Sequence, residues 1–393
     1  MRNSESINIL FLIYDLERGG PEMRLLDLQK HLPAYIKIHI CVTSKNLALL
    51  PKFLEADARI HVEPVVKGYL EINKAWKIYR YVRKNHISII NSFGLKELFL
   101  SMAIKGMSGW KIKTVHHSVN LFHRYGVLHK FFLIILLKLT NKVLCNSEKS
   151  FELIRSFFVP KRKISVIRNG IDIGFFRNAI SKTERFKKAH RIGDNDFVLG
   201  TIANFRKVKN YPFLINAFKI LFRKNKNLKL ICVGGGDLLP EIKRMVLEYR
   251  LEKAVIFTGY SQNVAEYLSL MDVFVLCSQR EGSPNVLLQA MTMNLPVVST
   301  NVGGCPEIIA HRKNGILFPS NDLGKFIEAI ETLITDTDFA SRLCSNAKRT
   351  VEEKYSLDRM IKGYSTFYIE LSGFQNDPAA TEAKLKRQDL TDV

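Results

Sequence analysis

Short apolar runs recur along the chain, and the stretches between them return apolar residues at helical spacing. INILFLIY at 7–14 precedes a helical pattern from about Glu22 to His31, and IKIHICVT, ISIINSF, KIKTVHHS and KVLCNS continue the alternation. A second series opens at FVLGTIANF and runs through LKLICVGGG, AVIFTGY, DVFVLCS, LPVVSTNV and GILFPS. Strands alternating with helices predict an α/β protein of two doubly wound, Rossmann-like parallel-sheet domains. The first spans 1–168 and the second 197–355. Between them ISVIRNGID carries an Asn-Gly turn signal ahead of the polar, basic stretch SKTERFKKAHRIGDND, which predicts a linker over 169–196. A helix over 356–374 is expected to return to the first domain. The polar end, 375–393, shows no apolar face and is expected to be mobile.

The length of 393 residues suits two domains, each with its own core, and a composition 47% hydrophobic and 24% charged excludes a disordered chain. The net charge of +22 calls for an anionic partner: nucleic acid, lipid or phosphorylated small molecules. Its placement narrows the choice. Lys111 to Lys163 holds eleven Lys/Arg against two Asp/Glu, interleaved with FFLIILL. Basic residues flanking apolar ones fit an anionic membrane surface better than a groove that tracks phosphates. The segment 128–142 reads equally as a buried helix with exposed lysines. FFLIILL is far too short to span a bilayer, and the first apolar run leads into a Gly-Gly loop rather than a cleavage site. Six cysteines without metal-ligand spacing read as reduced, buried thiols in a cytoplasmic protein.

Several segments carry candidate chemistry. In DLERGGPEMRLL, Gly19 and Gly20 lie where a helix start offers N–H groups to an anion, though a plain βα turn needs glycine too. KTVHHSVN ends a strand with His116 and His117, at the sheet edge where ligands of such folds bind. Arg206 and Lys209 follow another strand and form a cation pair suited to a diphosphate leaving group. Gly235, in GGGD, could bring backbone N–H groups to a nucleotide. EGSPNVLLQ opens with Glu281 in a turn and closes with Gln289 on a helix starting near Pro284 or Asn285, with Ser283 as candidate N-cap. Asn294 marks the helix end, where left-handed backbone is needed.

In order along the chain, DLERGGPEMRLLDLQ, TVHHS, VIRNGID, ANFRKVKN, LICVGGGDLLPEIK, VIFTGY, EGSPNVLLQA, LPVVSTNVGGCPEII and NGILFPSND resemble the motif series of glycosyltransferase family 4. The resemblance implies a GT-B fold, two Rossmann-like domains facing across a cleft. It also implies retaining transfer of a sugar from a UDP- or GDP-linked donor, with no metal and no other cofactor. Carried over by position, Glu281 sits beside the donor sugar, Arg206 and Lys209 hold the diphosphate, and His116 is the cleft histidine. Gly19 and Gly20 approach the phosphates and acceptor. Gly235, Gly282, Ser283, Asn285, Val286 and Leu287 line the donor, and Gln289 binds the ribose hydroxyls. Gln289 departs from the family's E-x7-E pattern, and its neutral amide bonds hydroxyls more weakly than a carboxylate. Asn204 stands where many relatives carry arginine, Arg168 replaces a linker proline, and Asn294 replaces a glycine.

These readings point to a hexosyl- or N-acetylhexosaminyltransferase acting on a glycan or lipid-linked acceptor in capsule, O-antigen or exopolysaccharide synthesis. Its expected place is the cytoplasm, peripheral on the inner face of the plasma membrane. A nucleotide-sugar epimerase of the same fold is the nearest alternative. A nucleic-acid-binding protein is suggested by charge alone, without a recognition motif, so nucleic acid is not an expected partner. No second carboxylate pair supports glycoside hydrolysis.

Overall fold

The computed structural model describes residues 6–17, 19–64, 71–118, 126–178, 183–261 and 263–374; the tail expected to be mobile lies outside them. Among the described residues the chain divides into two compact units. The first takes the chain up to Cys145, Phe151–Ile167 and the stretch from Ile361; the second takes Asn146–Ser150 and Arg168–Met360.

The first unit is built on seven parallel strands: β1 (Ile7–Ile13), β2 (Ile36–Val42), β3 (Arg59–Val62), β4 (Ile89–Ser92), β5 (Lys113–Ser118), β6 (Lys142–Cys145) and β7 (Ile164–Val166). Their order is β3-β2-β1-β4-β5-β6-β7. The second holds β8 (Phe197–Ile202), β9 (Leu228–Val233), β10 (Val255–Gly259), β11 (Val273–Leu276), β12 (Val297–Thr300) and β13 (Ile316–Phe318), in the order β10-β9-β8-β11-β12-β13. Both sheets are the parallel, doubly wound type that the apolar pattern predicts.

The central strands are buried on both faces because successive side chains enter different cores. Along β11, Val273 and Val275 join one cluster of the second unit, and Phe274 and Leu276 join another. The edge strands β3 and β7 escape the sequence pattern. They are short, and RIHV is half-exposed, so neither shows a continuous apolar run. The stretch expected to link the domains is instead folded into the second unit. It carries helices Ile173–Asn178 and Thr183–Ala189, and Ile171, Phe176 and Ile192 are buried there. The last helix, Leu357–Ser372, sends Tyr364 and Tyr368 into the core of the first unit. Tyr368 meets Phe11 edge-on and is hydrogen-bonded to Asn91.

Strand order reverses between β1 and β4 and between β8 and β11, and ligands of open α/β sheets bind beyond the strand ends at such points. In the first unit these places hold carboxyl groups of the chain itself. A Cβ on Gly19 would stand 2.2 Å from Glu22 Oε2, and one on Gly94 the same distance from Glu97 Oε2. Each glutamate folds back over the glycine that begins its helix and accepts from its own backbone N–H. The free N–H groups expected beside Gly19 thus already face a carboxyl. Glu97 is buried and accepts from Thr43 Oγ1 at 2.7 Å, and burial holds its pKa above the usual carboxylate range.

Burial, helped by Asp15, pushes Glu22 up from 4.5 to about 7. Between these values the folded chain binds a proton that the unfolded chain has released, so this residue's contribution to stability falls as pH rises through that window. Glu22→Gln, which keeps the neutral form at every pH, is expected to gain thermal midpoint relative to the parent at pH 8, with the gap closing towards pH 5. A gap constant across that range would show that Glu22 titrates where exposed carboxylates do.

Candidate active site

The loops following β8 and β11 lie side by side because their strands are neighbours at the order reversal of the second sheet. Phe205 is fully buried and stacks on Tyr211 with ring centroids 3.8 Å apart, and Tyr211 OH donates to Ala203 O at 2.7 Å. The residues after Phe205 are thereby pinned. Gln279 N donates to Val208 O at 2.8 Å, tying the two loops together. Lys209 Nζ reaches Glu281 Oε1 at 2.6 Å, with both side chains largely buried. Residues 72 apart in sequence are thus one charged unit. Arg206 begins the 3-10 turn Lys207–Lys209 and is exposed, so it projects from the same turn without sharing the lysine's partner.

A third loop closes on this pair. Gly303 has φ +54°, and a Cβ there would lie 1.7 Å from the Glu281 carbonyl oxygen. A Cβ on Gly304 would lie 2.0 Å from that of Gly282. Backbone therefore packs on backbone beneath Glu281, which only glycine allows. In the sequence this floor is signalled only by a Gly-Gly after the strand run LPVVSTNV. Cys305 follows directly, and burial, with Glu281 close by, pushes its thiol up to about 12. None of the six cysteines is in a disulfide, and all are buried.

The helix after Glu281 is Asn285–Thr292, beginning at one of the two expected positions, but its cap is not the expected one. Pro284, with extended backbone, occupies the N-cap position instead of Ser283, and no side chain caps the helix. Asn285 Oδ1 accepts from Asn169 Nδ2 at 2.7 Å, and Ser283 O accepts from the same amide at 3.3 Å. Asn169, read from sequence as a linker turn, is therefore the residue that anchors this helix start. Leu287 is fully buried in the core and Val286 packs against it, because an amphipathic helix must turn one face to the sheet. Both side chains therefore serve packing. Gln289 is half-buried, and its amide makes no hydrogen bond to any described residue. Asn294 ends the turn with φ +61°, the left-handed backbone the sequence requires there.

Gly235 lies in the turn after β9, where its carbonyl accepts from Phe205 N at 2.9 Å and the Tyr260 ring covers its Cα. This turn braces the Arg206 loop. In the first unit, His116 Nδ1 meets Ser92 Oγ at 3.0 Å across β4 and β5. Burial pushes the imidazole down to about 4, so at neutral pH it is an uncharged hydrogen-bonding group. His117 is held well below its usual pKa by burial and is stacked on Phe93, centroids 4.4 Å apart, so it serves packing. Gly20 has open space around its Cα. Among the described residues, no three His, Cys, Asp or Glu side chains converge as metal ligands.

Residues 18–175 match the family model described as Glycosyltransferase Family 4, and residues 182–350 that of glycosyl transferases group 1. The chain is 30% identical to the N-acetyl-alpha-D-glucosaminyl L-malate synthase of Bacillus anthracis over 54% of its length, a match that spans about half (55%) of that relative. It is 24% identical to the UDP-Gal:alpha-D-GlcNAc-diphosphoundecaprenol alpha-1,3-galactosyltransferase of Escherichia coli over 83% of this chain and 88% of that one. Anabaena HepE in complex with UDP and glucose superposes with a TM-score of 0.81 at 19% identity, covering 92% of this chain and 99% of that one, and the fold is GT-B. Because the two family models take up successive halves of a chain with this fold, the chain belongs to glycosyltransferase family 4.

Proposed function

We propose that the protein transfers a hexose or N-acetylhexosamine from a UDP- or GDP-linked donor to a hydroxyl of a glycan or lipid-linked acceptor, with retention of configuration and without a metal, in the synthesis of a capsule, O-antigen or exopolysaccharide. The observation that carries this reading is the Lys209–Glu281 pair at the β8/β11 order reversal, with Arg206 exposed beside it. The C1–O bond to the diphosphate breaks while the acceptor oxygen forms its bond on the same face of the sugar. The acceptor's proton passes to the leaving phosphate oxygen. The protein supplies position and charge rather than a nucleophile. Glu281 accepts hydrogen bonds from the donor sugar's hydroxyls and keeps Lys209 aimed. Since Glu281 already balances Lys209, the net positive charge met by the diphosphate comes from Arg206. Gln289 bonds the ribose hydroxyls, and neutral His116 bonds a substrate hydroxyl.

With labelled nucleotide sugars and a membrane fraction as acceptor, Glu281→Gln is expected to lower kcat/KM by at least about 100-fold while the folded state persists in a thermal scan. Full turnover by that variant would remove Glu281 from the site. Inverted product by NMR would refute retention, loss of activity in EDTA would refute metal independence, and isomerised donor without acceptor would favour the epimerase.

Gln289 separates binding from chemistry. Exchanging a neutral acceptor for a charged one roughly doubles the strength of its hydrogen bonds. Gln289→Glu is expected to tighten UDP or GDP binding by roughly threefold to tenfold in calorimetric titration. Gln289→Ala should weaken binding while sparing kcat. Equal affinities in all three proteins would place the ribose elsewhere.

A further inference from the structure

The helix Val127–Leu139 of the first unit is apolar on two faces, and only one of them is covered. Leu133 and Leu137 enter the core, whereas Phe131, Phe132, Ile135 and Leu139 stand 39–60% exposed. Two further aromatics adjoin its C-terminal end. Phe158 is 85% exposed with Lys138 Nζ 5.9 Å over its ring. Trp110 is 58% exposed beneath Lys105 Nζ at 5.1 Å, and that ammonium also donates to Leu139 O at 3.2 Å. Phe158 and Trp110 both have positive φ, +57° and +62°, a backbone state rare for bulky residues, and both are held out from the surface.

The surroundings are basic throughout. Lys163 Nζ donates to Thr140 O at 2.9 Å and Lys142 Nζ to Arg162 O at 2.8 Å, which gathers Lys138, Lys142, Arg162 and Lys163 around the same helix end. From Leu98 to Ser147 and from Leu153 to Ile171 the sequence contains no Asp or Glu.

From this geometry we propose that the helix face with Trp110 and Phe158 docks on an anionic lipid bilayer, its apolar side chains entering the headgroup boundary and its lysines meeting lipid phosphates. Aromatic residues favour that boundary, and cations beside it are drawn to anionic leaflets. A second copy of the chain is a poor occupant, because two like-charged faces would repel. Nucleic acid would use the lysines but has no use for exposed Ile135 and Leu139. No helix among the described residues is long and apolar enough to cross a membrane, so this face would lie on the bilayer. The proposal rests on the reading of a lipid-linked acceptor only for its purpose, and its test does not use turnover.

The test is co-sedimentation of the full chain with vesicles of phosphatidylcholine alone or mixed with phosphatidylglycerol. The protein is expected to pellet with the mixed vesicles, and less so at high salt. The triple variant Phe131→Ser, Ile135→Ser, Phe158→Ser should bind them at least about tenfold more weakly, with unchanged thermal midpoint and unchanged nucleotide affinity. The double variant Lys138→Glu, Lys142→Glu should lose only the preference for the anionic lipid. Equal pelleting of parent and triple variant would overturn the proposal, as would no pelleting, displacement of both proteins alike by RNA, or a vesicle-free dimer that the triple variant abolishes. Failure here with Glu281-dependent turnover intact would leave the transferase reading standing.

Discussion

The contact between Lys209 and Glu281 exists only because the second sheet reverses its strand order between β8 and β11, which sets the loops after those strands side by side. At an effective dielectric near 20, two unit charges in close contact attract by about 4 kcal/mol, and the desolvation of each ion costs several kcal/mol in the opposite sense. The pair therefore contributes little net stability. What it supplies is geometry: a carboxylate and an ammonium with fixed directions, resting on the backbone of Gly303 and Gly304 and held by the Phe205–Tyr211 stack. Substitution of any of these supports would move the charges, although none of the supports is charged.

The two sheets share a winding but differ in what they present at their reversal points. In the second unit an exposed arginine and a bridged lysine make that edge receptive to a diphosphate. In the first, Glu22 and Glu97 fold onto the starts of their own helices, and burial raises both. Phosphate would meet carboxyl groups there, whereas a neutral hydroxyl could bond to them or to uncharged His116. This division of polarity supports the proposed donor role of the second unit and acceptor role of the first.

The excess positive charge follows the same economy of place. Part of it borders the exposed apolar helix face of the first unit, and part decorates solvated helix surfaces such as Lys224, whose bridge to Glu331 is exposed and contributes about 1 kcal/mol at most. Net charge alone cannot distinguish these uses. The exposed aromatics, and the acid-free stretches of sequence that carry them, can.

The sequence by itself determined the two α/β sheets, since continuous apolar runs such as VFVL have no stable place except in a strand covered on both faces. It also marked Glu281, Lys209, the pair His116 and His117 and the left-handed stop at Asn294 as candidates, each through residue type at an element's end, and the family resemblance singled out His116. It could not decide which first-turn side chains turn to the core, as those of Val286 and Leu287 do once the helix lies on its sheet, and the Asn169 amide reaches Asn285 only across 116 positions. The edge strand β3 was invisible because a half-exposed RIHV carries no periodic signal. Nor could spacing reveal that Gly19 is shaped by Glu22, or that a glycine pair some twenty residues past Glu281 forms the floor beneath it. Local pattern fixes the elements; which distant backbones touch is decided by strand order, and strand order exists only in the folded chain.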